Sequence, residues 1–129
     1  MPTASTIALL DGQATPVSHD FSPIRVGEAS SLFADKTSTT SAGRPQIVLG
    51  FSASSAKRPT NRLNVRFNMP IEQTVDGVTS VAYTARFTSD IVIPDQMTQG
   101  QRDDFAAYIK NLFAHTVVDS MIADIDPVY

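Results

Sequence analysis

With 129 residues, 42% of them hydrophobic and 18% charged, the chain is sized for one globular domain, 1–129, and not for a disordered segment. It has no cysteine, which excludes disulfides, thiolate metal sites and thiol catalysis, and its formal net charge of -3 comes without any polybasic arm. No stretch approaches the roughly 20 apolar residues of a membrane helix, and the start, MPTASTIALLDG, lacks a basic n-region, so the chain is expected in a cytosol unless a larger particle carries it out.

No internal repeat is evident. Residues 6–10 read as a strand ending at Asp11-Gly12, a tight-turn dipeptide, with 13–19 as the returning arm of a hairpin. Residues 21–26 pass through Ser22-Pro23, so a strand there is short or on an edge. A short strand fits 30–34, and 36–44 (KTSTTSAGR) reads as a solvated polar loop. The stronger signals follow. Residues 46–52 form a strand, 54–60 a turn stopped by Pro59, and 61–69 a second strand ended by Pro70. A loop at 71–78 centres on Asp76-Gly77. A third strand, 79–93, closes at Pro94, with an apolar set of Val81, Tyr83, Ala85, Phe87, Ile91 and Ile93 interrupted at Ser89. Beyond Pro94 the period becomes helical. Thr98 is a fair N-cap, and Asp103 and Asp104 suit the first turn of a helix over 99–116. Phe105, Ala106, Ile109, Leu112 and Phe113 recur at helical spacing, and Val117, Val118, Met121 and Ile122 mark a shorter helix up to about Asp124. Strands first and helices last give an α+β layout with an antiparallel sheet.

Strand and helix lengths point to a partner. A third strand of this length spans about 50 Å, whereas the first helix reaches about 27 Å. Either the second helix or another copy's helices would cover the rest, and the wide apolar stripe on a C-terminal element that can reach outward favours another copy. Phe105, Ile109, Leu112 and Phe113 are therefore the expected seam of an intertwined homodimer.

Charge is concentrated in one place. The run 44–68 holds Arg44, Lys57, Arg58, Arg62 and Arg66, half of the ten basic residues, and no acid. Within it Ile47, Leu49 and Phe51 alternate with Val48, Gly50 and Ser52, and Leu63, Val65 and Phe67 alternate with Arg62, Asn64, Arg66 and Asn68. A period of two gives each strand two unlike faces. One face wants a core; the other offers the cations and amides that phosphates and base edges need. On the third strand Arg86, Thr88 and Asp90 fall on the polar side. Local cations suffice for RNA binding in an acidic protein, because counterion release depends on them and not on net charge. Catalytic and metal chemistry find no support. His19 and His115 have no ligand spacing, Ser54-Ser55 has no partnering His or acid, and no glycine-rich phosphate loop is present. No cofactor, metal or small-molecule substrate is expected, and no enzyme activity.

The run FSASSAKRPTNRLNVRFNMP, 51–70, resembles the central hairpin of the coat proteins of small single-stranded RNA phages, the leviviruses. The ending VVDSMIADIDPVY is similar to that family's short helix and terminal tyrosine. The likeness covers 46–129 well and the first 45 residues in outline. It implies an N-terminal β-hairpin, a five-stranded antiparallel sheet and two C-terminal helices. It also implies an edge-to-edge dimer in which each subunit lays its helices over the other, and a small icosahedral (T=3) shell. The sheet would face inward onto genomic RNA, and binding of one RNA hairpin would repress translation. Such a protein is made in the bacterial host cytoplasm and ends in the virion. The RNA-facing positions carry over to Val48, Gly50 and Ser52, to Arg62, Asn64, Arg66 and Asn68, and to Arg86 and Thr88. Two departures stand out. Arg86 replaces a frequent stacking Tyr, and Val48 and Gly50 replace small hydroxyl residues that shape an adenine pocket. The loop 71–78 matches the segment that surrounds the shell's symmetry axes. Two other readings stay open: a non-capsid dimeric β-sheet RNA-binding regulator, and a small α+β enzyme or ligand carrier.

Overall fold

Among the described residues, Phe21, Phe33, Ala34 and Ile47 are the buried apolar side chains, and they show which faces of the strands turn inward. In the computed structural model, which describes residues 3–38 and 40–128, six strands precede two helices: β1 (Ile7–Leu10), β2 (Ser18–Arg25), β3 (Ser30–Ala34), β4 (Gln46–Ser52), β5 (Thr60–Val75), β6 (Val78–Pro94), α1 (Gln99–Ala114) and α2 (Thr116–Asp124). Met1, Pro2, Thr39 and Tyr129, the tyrosine of the resemblance, lie outside the described residues. Contacts divide the chain into a sheet unit up to Val92 and a helical unit from Ile93.

The six strands form one sheet in sequence order, and the registered pairs from β1 to β5 are antiparallel. Parity carries the core from strand to strand. Phe33 pairs with Ile47, and Ile47 with Phe67. Phe21 meets the Phe67 ring edge-on at 6.0 Å, and Ala4 and Ile7 pack against the same cluster.

In the helical unit Thr98 closes a capping box: its hydroxyl accepts from the Gln101 amide at 3.2 Å, and its own amide donates to Gln101 Oε1 at 3.0 Å. His115 both ends α1 and caps α2, its Nδ1 accepting from the Val117 amide at 3.2 Å. Neither helix buries a residue.

Several boundaries depart from expectation. The sheet has six strands, not a hairpin plus five, because β2 pairs with β1 on one side and β3 on the other. The returning arm is Ser18–Arg25 and not 13–19. Asp11 ties the ends of the intervening loop together, its Oδ1 accepting from the amides of Gln13 at 3.3 Å and Val17 at 3.0 Å. Pro23 sits inside β2, accommodated by a register shift against β3 between Pro23 and Arg25. Pro70 does not end β5. The pairing with β4 stops at Gln46 and Asn68, so beyond it β5 has an open flank where a missing N–H costs no ladder bond. The expected loop 71–78 shrinks to the turn Asp76-Gly77, with φ of 51° and 78°, flanked by a Thr74–Thr79 hydroxyl bond of 3.1 Å. Positive φ at both turn residues matches the right-handed twist of the flanking strands, and Asp-Gly supplies it at little cost. The polar loop 36–44 is more than a solvated connection. Ser38 Oγ and Thr40 Oγ1 donate to Glu72 Oε1 on β5, and a Cβ on Gly43 would collide with that carboxylate. Asp103 lies past the first turn of α1 and instead accepts from Gln99 Nε2 at 2.9 Å.

Candidate nucleic-acid interface

The β4–β5 ladder builds a polar face from four cross-strand pairs: Gln46 with Asn68, Val48 with Arg66, Gly50 with Asn64, and Ser52 with Arg62. Residues directly opposite in antiparallel strands project to the same side. The intervening pairs, Ile47 with Phe67, Leu49 with Val65 and Phe51 with Leu63, project to the other. Two guanidinium groups and two carboxamides thus stand along β5; Arg66 and Asn64 face Val48 and Gly50, which have no side-chain hydrogen-bonding group, while Arg62 faces the Ser52 hydroxyl and Asn68 the Gln46 carboxamide. Arg62 and Arg66 are exposed, while Asn64 and Asn68 are half-buried. A Cβ at Gly50 would lie 3.4 Å from Asn64 Cβ and 3.8 Å from its Nδ2, so glycine leaves open space beside that amide. β3 extends the face through Leu32 opposite Val48 and Ser30 opposite Gly50.

The turn between β4 and β5 adds a cation. Ser55 and Arg58 exchange backbone bonds of 2.8 and 3.0 Å, which leaves Lys57 at the exposed tip. Arg58 folds back, its Nη2 donating to Ser52 Oγ at 2.6 Å and to the Ala53 carbonyl at 3.1 Å. Ser52 is the partner of Arg62, so Arg58 sits at the outer end of the polar face. Sequence parity named Val48, Gly50 and Ser52 and passed over Gln46, which the same parity would have found. The fold-back of Arg58 had no local signal.

On β6, exposure alternates from Thr88 to Ile93: Thr88, Asp90 and Val92 are exposed, and Ser89, Ile91 and Ile93 are partly covered. Arg86 shares the parity of Thr88 and Asp90 and is exposed. β6 neighbours β5, and the Ser89 hydroxyl donates to the Val65 carbonyl at 3.4 Å, which places this stretch of β6 beside the middle of β5.

The expected seam residues lie on α1. Phe105, Ile109 and Phe113 recur every four residues along one side, with Leu112 adjoining. Phe105 and Ile109 are half-buried, while Leu112 is 58% and Phe113 49% exposed. The apolar side of β4 is also incompletely covered, with Phe51 51% exposed. Among the described residues no group of three or more His, Cys, Asp or Glu could hold a metal ion, and no helix is long and apolar enough to cross a membrane.

A family model described as Levivirus coat protein matches residues 2–129. Among solved structures, the virus-like particle of bacteriophage NT-214 is 25% identical with a TM-score of 0.85, covering 97% of this chain and 98% of that one. The virus-like particle of Beihai levi-like virus 21 superposes with a TM-score of 0.91 at 19% identity over 99% of both chains. The capsid protein of bacteriophage GA has a TM-score of 0.80 at 17% identity, again over 99% of both. No curated protein matches the sequence.

Proposed function

The chain belongs to the levivirus coat protein family, and from that premise we propose that it dimerises, self-assembles into an icosahedral shell and binds single-stranded RNA on the polar face of β4, β5 and β6. The observation that carries the RNA reading is the ladder of four pairs that sets Arg62, Asn64, Arg66 and Asn68 in one row opposite Ser52, Gly50, Val48 and Gln46. Arg62 and Arg66 stand about 13 Å apart on the strand, so each can meet a separate phosphate, and each carboxamide offers a donor and an acceptor to a base edge. Arg86 extends the row, with a planar guanidinium able to stack on an unpaired base. On this reading Val48, Gly50 and Ser52 form the floor of the site, and Thr88 its far side. Recognition of an RNA hairpin on the same face would let the protein repress translation of its own genome.

Dimerisation rests on exposed apolar surface in both units. A stripe through Phe105, Ile109, Leu112 and Phe113 and an under-covered sheet face around Leu49 and Phe51 are complementary in character, and apolar surface of this extent calls for a partner. A second copy supplies both surfaces at once.

The test is electron microscopy of the protein expressed alone and purified by size, with nucleic-acid absorbance read on the same fractions. Uniform shells containing host RNA are expected. A dimer that binds RNA and never assembles would replace the coat reading with that of a regulator. Empty shells would retain assembly and refute the RNA face.

A further inference from the structure

Two carboxylates and one imidazole meet where the N-terminal hairpin joins the rest of the sheet. His19, on β2, sets Nε2 3.0 Å from Asp11 Oδ2 and Nδ1 3.4 Å from Asp35 Oδ2. Asp11 belongs to the loop after β1, and its other oxygen is held by the amides of Gln13 and Val17. Asp35 follows β3 directly; its side chain is only 5% exposed, and its Oδ1 accepts from the Thr37 amide at 3.0 Å. One ring therefore bridges two corners of the fold. Glu72, on β5, is the third carboxylate along the cavity of about 620 Å³ that Asp11, His19 and Asp35 help to line. Asp20 and Lys36 are the sequence neighbours of His19 and Asp35.

The stereochemistry selects a protonation state. A neutral imidazole has a single N–H, and its other nitrogen presents a lone pair. Either tautomer would leave one carboxylate oxygen facing that lone pair, and if the orphan were Asp35 it would be a nearly buried one. Only the imidazolium serves both, donating from Nε2 to Asp11 and pairing its charge through Nδ1 with Asp35. We propose that His19 is a proton-controlled latch: as the imidazolium it fastens the N-terminal hairpin to the corner after β3, and its deprotonation releases one of the two fastenings.

The surrounding groups act in the required direction. The hydrogen bond to Asp11 raises the His19 pKa above its ordinary 6.5, assisted by the charges of Asp11 and Asp35 and opposed by partial desolvation. Asp11 is held below the usual carboxylate value chiefly by the Val17 amide and then by His19. At Asp35 burial acts upward, but the Thr37 hydrogen bonds and His19 outweigh it, so its pKa is also lowered. A raised histidine pKa contributes stability that is complete below 6.5 and is lost as pH rises through the folded value. The lowered carboxylate values keep their contribution until pH falls below 3.8. The latch is closed between these limits and opens on the alkaline side.

Hydrogen exchange on the full-length protein, read as protection factors at stepped pH, tests this. Residues 7–10 and 18–21 should lose protection several-fold as pH rises past the His19 midpoint, while 46–52 and 60–68 hold theirs. His19→Gln should remove that pH step. A step that survives in His19→Gln, or that spreads equally through β4 and β5, overturns the proposal. Should His19→Gln fail to fold, Asp35→Asn supplies the second arm. Removing one carboxylate should move the midpoint down toward the ordinary histidine value, and an unmoved midpoint refutes the bridge.

Discussion

The sheet unit and the helical unit treat their apolar side chains in opposite ways. Up to Val92 the chain buries Phe21, Phe33 and Ile47 against one another, with Phe67 closing over them edge-on. From Ile93 onward no residue of either helix is buried, although Phe105, Ile109, Leu112 and Phe113 line α1. Helices of about 12–15 residues are marginal in water without tertiary packing. The capping box at Thr98 and the shared cap at His115 fix where the helices begin and end. They do not supply the burial that holds a helix folded. On the proposed dimer, the helices would gain that burial at the interface between copies, whereas the sheet unit already holds its buried cluster within one chain. The two should respond differently to protein concentration.

Mutations can break that contrast. The largest effect is expected at the core: Phe33→Ala should cost about 3–5 kcal/mol at every protein concentration, read by denaturant unfolding followed at the sheet. Phe113→Asp should leave the sheet folded and abolish dimers and particles, since it would place an unpaired charge in the seam. Size-exclusion chromatography and microscopy decide this, and normal particles from that variant would refute the seam. Arg66→Ala should weaken RNA binding without affecting dimers and should reduce the slope of log affinity against log salt by about 0.7; an unchanged slope would remove Arg66 from the RNA face. Thr98→Ala should cost about 1 kcal/mol, visible as fraying at the start of α1 by hydrogen exchange. The smallest effect is at Ile125, a β-branched residue that ends α2 at φ 58°. Ile125→Gly relieves a left-handed strain of about 1 kcal/mol but adds freedom to the unfolded chain, so a gain of a few tenths of a kcal/mol in thermal stability is expected.

The polar face was readable residue by residue because alternation along a strand is a local property. Arg62, Asn64, Arg66 and Asn68 are on one side of β5 whatever β5 pairs with, and the register with β4 added their partners. The helices were readable for a similar reason, their caps and spacing being set within a few residues. Strand ends were less so. Pro70 was read as a terminator, and it is none, because whether a missing N–H matters depends on whether a neighbouring strand is still there to accept it. Asp11-Gly12 was read as a tight turn, yet the carboxylate of Asp11 organises a longer loop by binding the Val17 amide six residues on.

Sequence alone settled the order of elements from β3 onward, the two faces of the central strands, the basic run and the apolar stripe of α1, since each follows from residue type and spacing over short stretches. Tertiary structure decided what brings distant residues together. β2 pairs on both flanks, so six strands share one sheet. Glu72 ties down the loop before β4, Arg58 folds back onto Ser52, and His19 bridges Asp11 and Asp35. These contacts depend on register and loop closure, which a local pattern does not encode.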